Sequence, residues 1–335
     1  MKQLRIRQVS ESEFSVKGHG VHTAFVETVR GLKKTKDAIV LINRAKGQVD
    51  ITHIHTIGFY SLWYLLTGSS KKVVSAHVIP ASLVGSLVAA KFWLPIATSY
   101  IRWFYNHADV VIAVSDATKR ELIAIGVTKP IEVAYNMVDT KLYHATSTDK
   151  QIARQELGLD SKAWIVIGAG QVQPRKRVDS MVKLASKLPD MTFVWVGGLP
   201  FKKAAADSAS MQRLMRDVTS NMLFPGIVPL DEIKQWYHAA DVFFLPSQQE
   251  TFGLVVVEAA ASGLPIVLRD IPDYKETFSD LAILASEKDF EATFKKLKNE
   301  PSYYNKSQRD ALKLAARYDS KAASKQLLKL YRSLL

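Results

Sequence analysis

Two glutamates in one short segment are the clearest candidates for chemistry in this chain. Glu250 and Glu258 lie in Pro-Ser-Gln-Gln-Glu-Thr-Phe-Gly-Leu-Val-Val-Val-Glu-Ala, residues 246–259. A short apolar run, Val242–Leu245, precedes this segment, and the pattern predicts a strand, a polar loop and a helix that begins near Gly253. The free N–H groups and the dipole at a helix start attract anions, and a glycine lets the backbone come close to one. The segment therefore predicts a site for an anion such as a diphosphate.

Each of these glutamates has a functional and a structural interpretation. Glu250, in the loop, could accept hydrogen bonds from sugar hydroxyls, or it could cap the helix. Glu258 lies inside an apolar run, where a buried carboxylate is costly unless it is paired or hydrogen-bonded. A ribose diol would supply those hydrogen bonds, and a buried arginine is the structural alternative. Both interpretations stay open for both residues at this point.

Short β-branched runs alternate with helical patterns around this segment and through most of the chain. They predict these strands: Ala38–Ile42, Ile51–His55, Lys72–Ala76, Val110–Val114, Ile131–Ala134, Ala163–Ala169, Thr192–Val196, Val242–Leu245 and Ile266–Leu268. Helical patterns lie between them, such as Val21–Lys34 and Ser115–Ala124. Such alternation predicts an α/β fold with parallel sheets, whose ligands bind beyond the carboxyl ends of the strands.

The alternation stops once, at a polar interval, and then restarts. We therefore expect two domains, residues 1–145 and 146–315, followed by a terminal segment, 316–335. The chain has a wholly helical pattern near its end and finishes in a basic amphipathic helix, Ser320–Leu335. Two sheets that face each other would form a cleft between them. Such a cleft suits a reaction in which one domain holds a donor and the other holds an acceptor.

Composition limits the classes of function. The chain has 335 residues, of which 47% are hydrophobic, and it has no Cys, which excludes a disulfide framework and a thiolate nucleophile. Its most apolar stretch, Val78–Phe104, is broken by charged residues and a proline into runs of about ten, against about 20 needed to span a bilayer. The net charge is +13, with 18 Lys+Arg against 10 Asp+Glu in residues 1–145. Nucleic acid, an anionic membrane, a phosphorylated substrate or simple solubility would each explain this bias.

The pattern Pro-Ser-x-x-Glu-x-Phe-Gly-Leu…Glu-Ala closely resembles the signature of glycosyltransferase family 4, whose members are retaining enzymes of the GT-B fold. Other segments that match the family are Ala239–Leu245, Ala261–Val267, Ala108–Ser115 and Asn136–Asp139. Together they cover nearly the whole chain. The resemblance implies two Rossmann-like domains facing across a cleft, with the C-terminal helix crossing back to the N-terminal domain.

The resemblance also implies donor-binding roles in the C-terminal domain. Glu250 would contact the transferred sugar, and Glu258 would contact the ribose. Backbone amides would hold the diphosphate at Thr251, Phe252, Gly253 and Leu254. Ile227 lies in a segment that resembles the one whose backbone contacts the nucleotide base. UDP is the commonest donor nucleotide in the family, so a UDP-hexose is the favoured donor.

A basic loop, Gly170–Lys176, corresponds to the family's Gly-Arg…Lys loop. Lys176 matches the lysine that neutralises the leaving phosphates, whereas Gln171 stands where the family has an arginine. A neutral amide can hydrogen-bond to a phosphate but supplies no charge, and Arg175 is the candidate to replace that charge. The alternative is that Arg175–Arg177 is an ordinary solvated run of charges.

In the N-terminal domain the resemblance marks a loop and a histidine. The loop that contains Gly18, His19 and Gly20 resembles the glycine-rich loop beside the donor diphosphate, although a tight turn would need the same residues. His77 ends a predicted strand and resembles the histidine near the reacting sugar. His53 and His55 alternate on the preceding strand and are predicted to be structural.

The implied mechanism is attack by an acceptor hydroxyl on the anomeric carbon with retention of configuration. The catalytic residues would be Glu250, His77 and Lys176, and the leaving diphosphate would receive the acceptor proton. Catalysis would then depend on positioning and on cationic stabilisation of the leaving phosphates. The chain has no Asp-x-Asp sequence, the usual metal anchor of other nucleotide-sugar enzymes. We therefore expect no metal and no cofactor beyond the UDP-sugar.

Aromatic and basic residues of the N-terminal domain suggest an acceptor in a membrane. Residues 59–66 and 92–105 are rich in Trp and Tyr, which suits an interfacial surface, although core packing is the alternative. The predicted membrane or acceptor contacts are Trp63, Lys91, Trp93, Arg102 and Trp103. Each basic residue near an anionic surface contributes about 1 kcal/mol of attraction.

In its short length and its loop variants, the chain resembles bacterial glycolipid synthases that add a second hexose to monoglucosyldiacylglycerol. We therefore expect transfer of glucose or galactose to a membrane glycolipid, by a cytoplasmic protein that is peripheral on the inner face of the cell membrane. A soluble sugar, a polysaccharide precursor or a protein is the alternative acceptor. An epimerase, a phosphorylase and a basic nucleic-acid-binding protein are rival functions, but no nucleic-acid module is recognisable and the positive charge is spread over both halves.

Overall fold

The computed structural model describes residues 3–14, 20–83, 90–199, 208–278 and 280–335. The described residues up to Asp139, together with Tyr318–Leu335, form one compact unit, and the described residues of Thr140–Arg317 form a second. We call them the N-terminal unit and the C-terminal unit. The chain passes between units at 139/140 and at 317/318.

The N-terminal unit is built on a six-stranded parallel sheet. Its strands are β1 (Leu4–Val9), β2 (Ala38–Ile42), β3 (Ile51–Ile54), β4 (Lys71–Ala76), β5 (Val110–Ala113) and β6 (Ile131–Val133). Its helices are α1 (Gly20–Lys33), α2 (Phe59–Leu66), α3 (Pro80–Leu83), α4 (Ala90–Tyr105), α5 (Asp116–Ala124) and the last helix of the chain, α15 (Ser320–Ser333). The strand order is β2-β1-β3-β4-β5-β6. The central strands form because most of their residues are apolar or β-branched, and all four positions of β3 and of β5 are buried.

Both faces of this sheet are covered by apolar side chains. One face packs against α4 and α5 in a cluster that includes Val9, Ile54, Val74, Phe104 and Leu122. The other face packs against α15 in a cluster that includes Ile6, Val73, Ile112, Leu327, Leu328 and Tyr331. The C-terminal helix therefore completes the core of the N-terminal unit, as the family resemblance implied.

The C-terminal unit has a second six-stranded parallel sheet. Its strands are β7 (Ile165–Ala169), β8 (Thr192–Val196), β9 (Met222–Gly226), β10 (Val242–Leu245), β11 (Ile266–Arg269) and β12 (Ile283–Ala285). Its helices are α6 (Thr140–Tyr143), α7 (Ser147–Glu156), α8 (Val178–Lys187), α9 (Ser208–Arg216), α10 (Ile233–Ala239), α11 (Leu254–Ala261), α12 (Pro272–Phe278), α13 (Phe290–Asn299) and α14 (Pro301–Arg317). The strand order is β12-β11-β10-β7-β8-β9. The order reverses between β7 and β10, and ligands of such sheets bind at the carboxyl ends of the strands at that point.

The predicted α/β class with parallel sheets is confirmed, and three predicted strands have the observed bounds of β2, β8 and β10. Three observed strands, β1, β9 and β12, are not among the nine predicted ones. β1 alternates apolar with basic or polar residues, so it is not a continuous apolar run. β9 ends in Pro225-Gly226, which is a turn signal in sequence, and β12 is only three residues long at the edge of its sheet. Within the described ranges, no helix combines the length and the apolar character that crossing a bilayer requires.

Candidate active site

Two loops of the C-terminal unit meet where its strand order reverses. Residues 170–176 follow β7 and residues 246–253 follow β10, and the amide of Gln248 donates to the carbonyl of Arg175 at 2.8 Å. Lys176 Nζ donates to Glu250 Oε1 in a salt bridge, and each side chain is only 8% exposed. Two residues that the sequence assigned to the donor site, 74 positions apart, are therefore brought together.

The pKa values of this buried pair depend on burial and on their mutual charge. Burial alone would raise the pKa of Glu250, but the positive charges of Lys176 and Arg175 outweigh it, and the pKa of Glu250 is lowered. Burial lowers the pKa of Lys176, and Glu250 opposes that shift. A carboxylate with a lowered pKa is ionised at neutral pH, so Glu250 can accept hydrogen bonds from hydroxyl groups.

Further contacts fix the position of Glu250. Ser247 Oγ donates to Glu250 Oε1 at 3.0 Å, and Arg175 Nη1 lies 3.6 Å from the same oxygen. Arg175 also donates to the carbonyl of Gln249 at 3.2 Å. The interpretation of residues 175–177 as a solvated run of charges is wrong, because Lys176 is buried and all three basic side chains pair with acidic groups.

The amide side chain of Gln171 is linked through Gln173 to Arg175. Gln173 Nε2 donates to Gln171 Oε1 at 2.9 Å, and Arg175 Nε donates to Gln173 Oε1 at 3.2 Å. Gln171 Nε2 is buried and has no hydrogen-bond partner among the residues that the structure describes. A buried N–H group without a partner is costly, so this atom is suited to donate to a ligand oxygen.

The loop after β10 ends at a glycine that has a left-handed backbone. Gly253 has φ +86° and is the residue directly before α11, which begins at Leu254. Other side chains would be strained at this angle. Thr251 and Phe252 precede the turn, and the ring of Phe252 is buried 5.8 Å from that of Phe278. The predicted helix start near Gly253 is confirmed, and α11 begins four residues after Glu250.

A close backbone contact supports the other loop. A Cβ atom at Gly197, which has φ +138°, would lie 2.0 Å from the carbonyl oxygen of Gly170, so only glycine fits there. Ile227 directly follows β9 and is half-exposed. The predicted base-contacting residue therefore lies two strands away from β7 in this sheet.

Glu258 is buried in α11, as its apolar neighbours indicated. Tyr237 Oη donates to Glu258 Oε2 at 2.9 Å. Burial and the nearby Glu258 charge raise the pKa of Tyr237 well above its usual value, so the phenol stays a donor. Tyr237 was not predicted as a site residue, because it lies on α10, outside the motif. Ser247 was not predicted either, although this serine lies within the motif, three residues before Glu250.

In the N-terminal unit, the predicted catalytic histidine lies at the carboxyl end of β4. His77 is half-buried, and its Nε2 lies 3.2 Å from Nδ1 of His55, with the two rings stacked 5.4 Å apart. His53 and His55 are buried, and His55 contacts His77 directly. Gly20 is the first residue of α1, whereas Gly18 and His19 lie outside the described residues.

The aromatic surface differs in detail from the prediction. Trp63 is 67% exposed, and it shares one face of α2 with Phe59 at 91% and Leu66 at 54%. We call these three residues the α2 ridge. Arg102 and Trp103 are exposed on α4, but Trp93 is half-buried, and the side chain of Lys91 is outside the described residues. Sequence analysis missed Phe59 as a contact because an aromatic helix pattern does not show which face the core covers.

Two Rossmann-like units with parallel six-stranded sheets define the GT-B class of transferases. Residues 7–142 match the family described as Glycosyltransferase Family 4, and residues 149–317 match Glycosyl transferases group 1. The chain belongs to glycosyltransferase family 4, and it is a glycosyltransferase.

The chain is similar to characterised relatives over most of its length. It is 36% identical to alpha-galactosylglucosyldiacylglycerol synthase of Streptococcus pneumoniae, over 82% of this chain and 74% of that protein. It is 27% identical to processive diacylglycerol alpha-glucosyltransferase of Acholeplasma laidlawii, over 81% of this chain and 80% of that protein.

Solved structures share the fold. The structure of Anabaena Alr3699/HepE in complex with UDP and glucose matches with a TM-score of 0.76 at 18% identity, over 99% of this chain and 100% of that one. Sucrose-phosphate synthase of Thermosynechococcus elongatus matches with a TM-score of 0.80 at 15% identity, over 99% of each chain. At these identities the likeness concerns the fold.

The described ranges contain no group of three His, Asp or Glu side chains placed to hold a metal ion. Independence from metal stays a prediction that an activity assay must test.

Proposed function

We propose that this enzyme transfers a hexose from UDP-glucose or UDP-galactose to a diacylglycerol-based glycolipid at a membrane surface, with retention at the anomeric carbon. The observation that supports the use of a nucleotide-sugar donor is the buried Lys176–Glu250 pair, at the point where the strand order of the C-terminal sheet reverses. The names of the two relatives support the acceptor half, because both act in diacylglycerol glycolipid synthesis.

In this proposal the C-terminal unit holds the donor. An ammonium group has three donors, so Lys176 can keep its bond to Glu250 and also donate to a leaving phosphate oxygen. Arg175 adds a second positive charge beside it, and Gln171 Nε2 donates a neutral hydrogen bond. Glu250 accepts from hydroxyls of the transferred sugar, since its lowered pKa keeps it ionised.

The remaining donor contacts follow the family pattern. The amides of residues 251–254 hold the diphosphate beside the N-terminus of α11, Glu258 binds the ribose, and Ile227 contacts the base. In the N-terminal unit, the family pattern assigns a diphosphate contact to the loop that contains Gly20 and a role near the reacting sugar to His77. Each of these roles is part of the proposal.

The reaction forms a bond between the acceptor oxygen and the anomeric carbon and breaks the bond from that carbon to the diphosphate oxygen. The acceptor proton passes to the leaving diphosphate, so the enzyme needs no carboxylate nucleophile. Lys176 and Arg175 stabilise the negative charge that develops on the leaving group in a site shielded from water.

The α2 ridge supports a lipid acceptor. Three large apolar side chains at positions 59, 63 and 66 share one helix face and are exposed, which is typical of a helix that lies in a membrane interface. The guanidinium of Arg44 lies 5.8 Å from the ring of Tyr60 on the same helix, so positive charge accompanies the ridge. The protein would then bind peripherally to an anionic leaflet on the cytoplasmic side.

The test is direct transfer. Purified enzyme is incubated with radiolabelled UDP-glucose or UDP-galactose and vesicles that contain monoglucosyldiacylglycerol, and lipids are separated by thin-layer chromatography. We expect one labelled diglycosyl lipid whose new linkage keeps the donor's α configuration by NMR. If labelled lipid forms only with a different lipid acceptor, the identity of the acceptor in the proposal changes and the rest of it stands. Transfer only to soluble sugars or protein would overturn the lipid assignment.

A further inference from the structure

A chain of hydrogen bonds links the C-terminal helix to the sheet of the N-terminal unit. Tyr331, on α15, lies with its hydroxyl 2.6 Å from Nδ1 of His53, on β3. The other ring nitrogen of His53 lies 2.7 Å from Ser75 Oγ, on β4. Gln8, on β1, donates from its Nε2 to the same tyrosine hydroxyl at 3.4 Å. All four side chains are buried.

The chain continues from Gln8 to His77. Gln8 Oε1 lies 2.7 Å from Nε2 of His55, and Nδ1 of His55 lies 3.2 Å from Nε2 of His77. The hydroxyl of Tyr331 is therefore connected to His77 through only two side chains. The connected residues come from three strand ends and a helix at the far end of the sequence.

The ring protons of the histidines in this hydrogen-bond network follow from their pKa values and their partners. Burial lowers the pKa of His53 to about 3, and burial with the neighbouring His53 and His77 lowers the pKa of His55 well below its usual value. Both rings are therefore neutral at pH 7, with one ring proton each. An amide oxygen only accepts, so His55 carries its proton on Nε2. Its Nδ1 is then an acceptor, and His77 must donate from Nε2.

The contact of Gln8 with Tyr331 supports this direction. Gln8 Nε2 donates to the hydroxyl, so the amide oxygen of Gln8 faces His55, and the proton of the hydroxyl is left for His53 Nδ1. If the amide turned over, its NH₂ group would face His55, the proton of His55 would move to Nδ1, and His77 would have to accept at Nε2. Both directions satisfy the hydrogen bonds between Gln8 and His77, so another contact must select one.

We propose that Tyr331 is a positioning residue of the transfer reaction: through Gln8 and His55 it fixes the tautomer and the ring orientation of His77. This rests on the proposed role of His77 near the reacting sugar. The C-terminal helix then contributes to activity as well as to the core, because its hydroxyl is connected through Gln8 and His55 to Nε2 of His77.

Tyr331→Phe tests the proposal, since it removes one oxygen and keeps the ring. The matched control is Tyr304→Phe, in the C-terminal unit, whose hydroxyl donates to the carbonyl of Asp241 at 2.9 Å. We expect kcat to fall about fivefold to tenfold in Tyr331→Phe with KM for the UDP-sugar unchanged, the size of one lost hydrogen bond. Tyr304→Phe should keep wild-type kcat.

A double variant separates this proposal from the role of His77 itself. If Tyr331 acts through His77, Tyr331→Phe should have no further effect on turnover in a His77→Ala background. Additive losses would overturn the proposal, as would wild-type kcat in folded Tyr331→Phe when His77→Ala is impaired. Wild-type turnover of His77→Ala would show that the proposed role of His77 itself is wrong.

The tautomers can be read in the wild-type protein, even if a variant does not fold. Imidazole ¹⁵N shifts of protein labelled at histidine distinguish protonated from unprotonated ring nitrogens, and His77→Ala assigns the His77 signals. We expect protons on Nε2 of His53, His55 and His77, and a mixture of tautomers at His55 in Tyr331→Phe. Protons on Nδ1 of His55 in the wild-type protein would contradict the proposed direction.

Discussion

The two units of this glycosyltransferase hold their candidate functional groups in different ways. In the C-terminal unit, Lys176 and Glu250 come from two continuous loops that follow neighbouring strands, and each loop is a recognisable motif. In the N-terminal unit, His77 is supported through residues as far apart as Gln8 and Tyr331, separated by 323 positions. A motif therefore indicates the candidate donor site, whereas only the fold reveals what supports the histidine.

Replacing Lys176 should have the largest effect. In Lys176→Ala the leaving diphosphate loses its principal cation, so we expect kcat to fall by about 10² to 10³, as when one stabilising donor is removed from a transition state. Transfer kinetics with folded protein measure this. The matched control is Lys183→Ala, an exposed lysine of α8 that pairs with Asp179, which should keep wild-type turnover. A Lys176→Ala enzyme within about tenfold of wild type would refute the role of this loop.

Arg175→Ala tests the second positive charge of the candidate donor site. Arg175 is more exposed than Lys176 and lies farther from Glu250 Oε1, so we expect a smaller loss of kcat, about tenfold. The measurement is the same transfer assay. A loss as large as that of Lys176→Ala would mean that Arg175 supplies the charge that is missing at Gln171.

The next largest effect is expected from replacing residues of the α2 ridge in the N-terminal unit. Replacing Phe59 and Trp63 together by Ser removes two exposed side chains, each of which would contribute about 1.5–3 kcal/mol if fully buried in lipid. We expect vesicle binding and transfer to lipid to fall at least about tenfold, while hydrolysis of the free UDP-sugar stays near wild type.

Flotation with neutral and anionic vesicles measures that binding. Ile123→Ser, an exposed apolar residue of α5 in the same unit, is the control. Binding should need anionic lipid and weaken as salt rises, because exposed charges are screened over about 8 Å at physiological ionic strength. Equal binding to both vesicle types, or binding that the ridge variant keeps, would remove the support for a lipid acceptor.

Chelation should have the smallest effect. No Asp-x-Asp occurs in the sequence, and cations of the protein face the proposed phosphate site. We therefore expect transfer to continue in excess EDTA. Activity that disappears with EDTA and returns with Mg²⁺ or Mn²⁺ would contradict this expectation.

The sequence predicted the α/β class and most central strands, because buried parallel strands are short apolar runs. It missed β9, since Pro225 and Gly226 in a strand look like a turn. In the candidate site, it predicted Glu250 and Gly253 from a local pattern and Lys176 from the family resemblance, and the structure brings Lys176 and Glu250 into contact. It missed Tyr237, which contacts Glu258 from another helix, because no local pattern links the two residues.

The same limit applies more strongly to the N-terminal unit. His53 and His55 were predicted to be structural, and no local pattern shows that His55 contacts His77 or that His53 contacts a residue of the last helix. The aromatic segment 59–66 was predicted as a surface, but its pattern does not show that Phe59 is its most exposed side chain. Long-range packing determines both features.

The central claim is that Glu250 serves the transferred sugar rather than the nucleotide or the fold. Glu250→Gln keeps the size of the side chain and removes its charge, and Ser247 can still donate to the amide oxygen. The decisive measurement is the transfer rate of this variant beside its affinity for UDP, which lacks the sugar. We expect transfer to fall at least about 100-fold while the Kd for UDP stays within about threefold of wild type. Transfer above about a tenth of the wild-type rate in a folded variant would contradict the account.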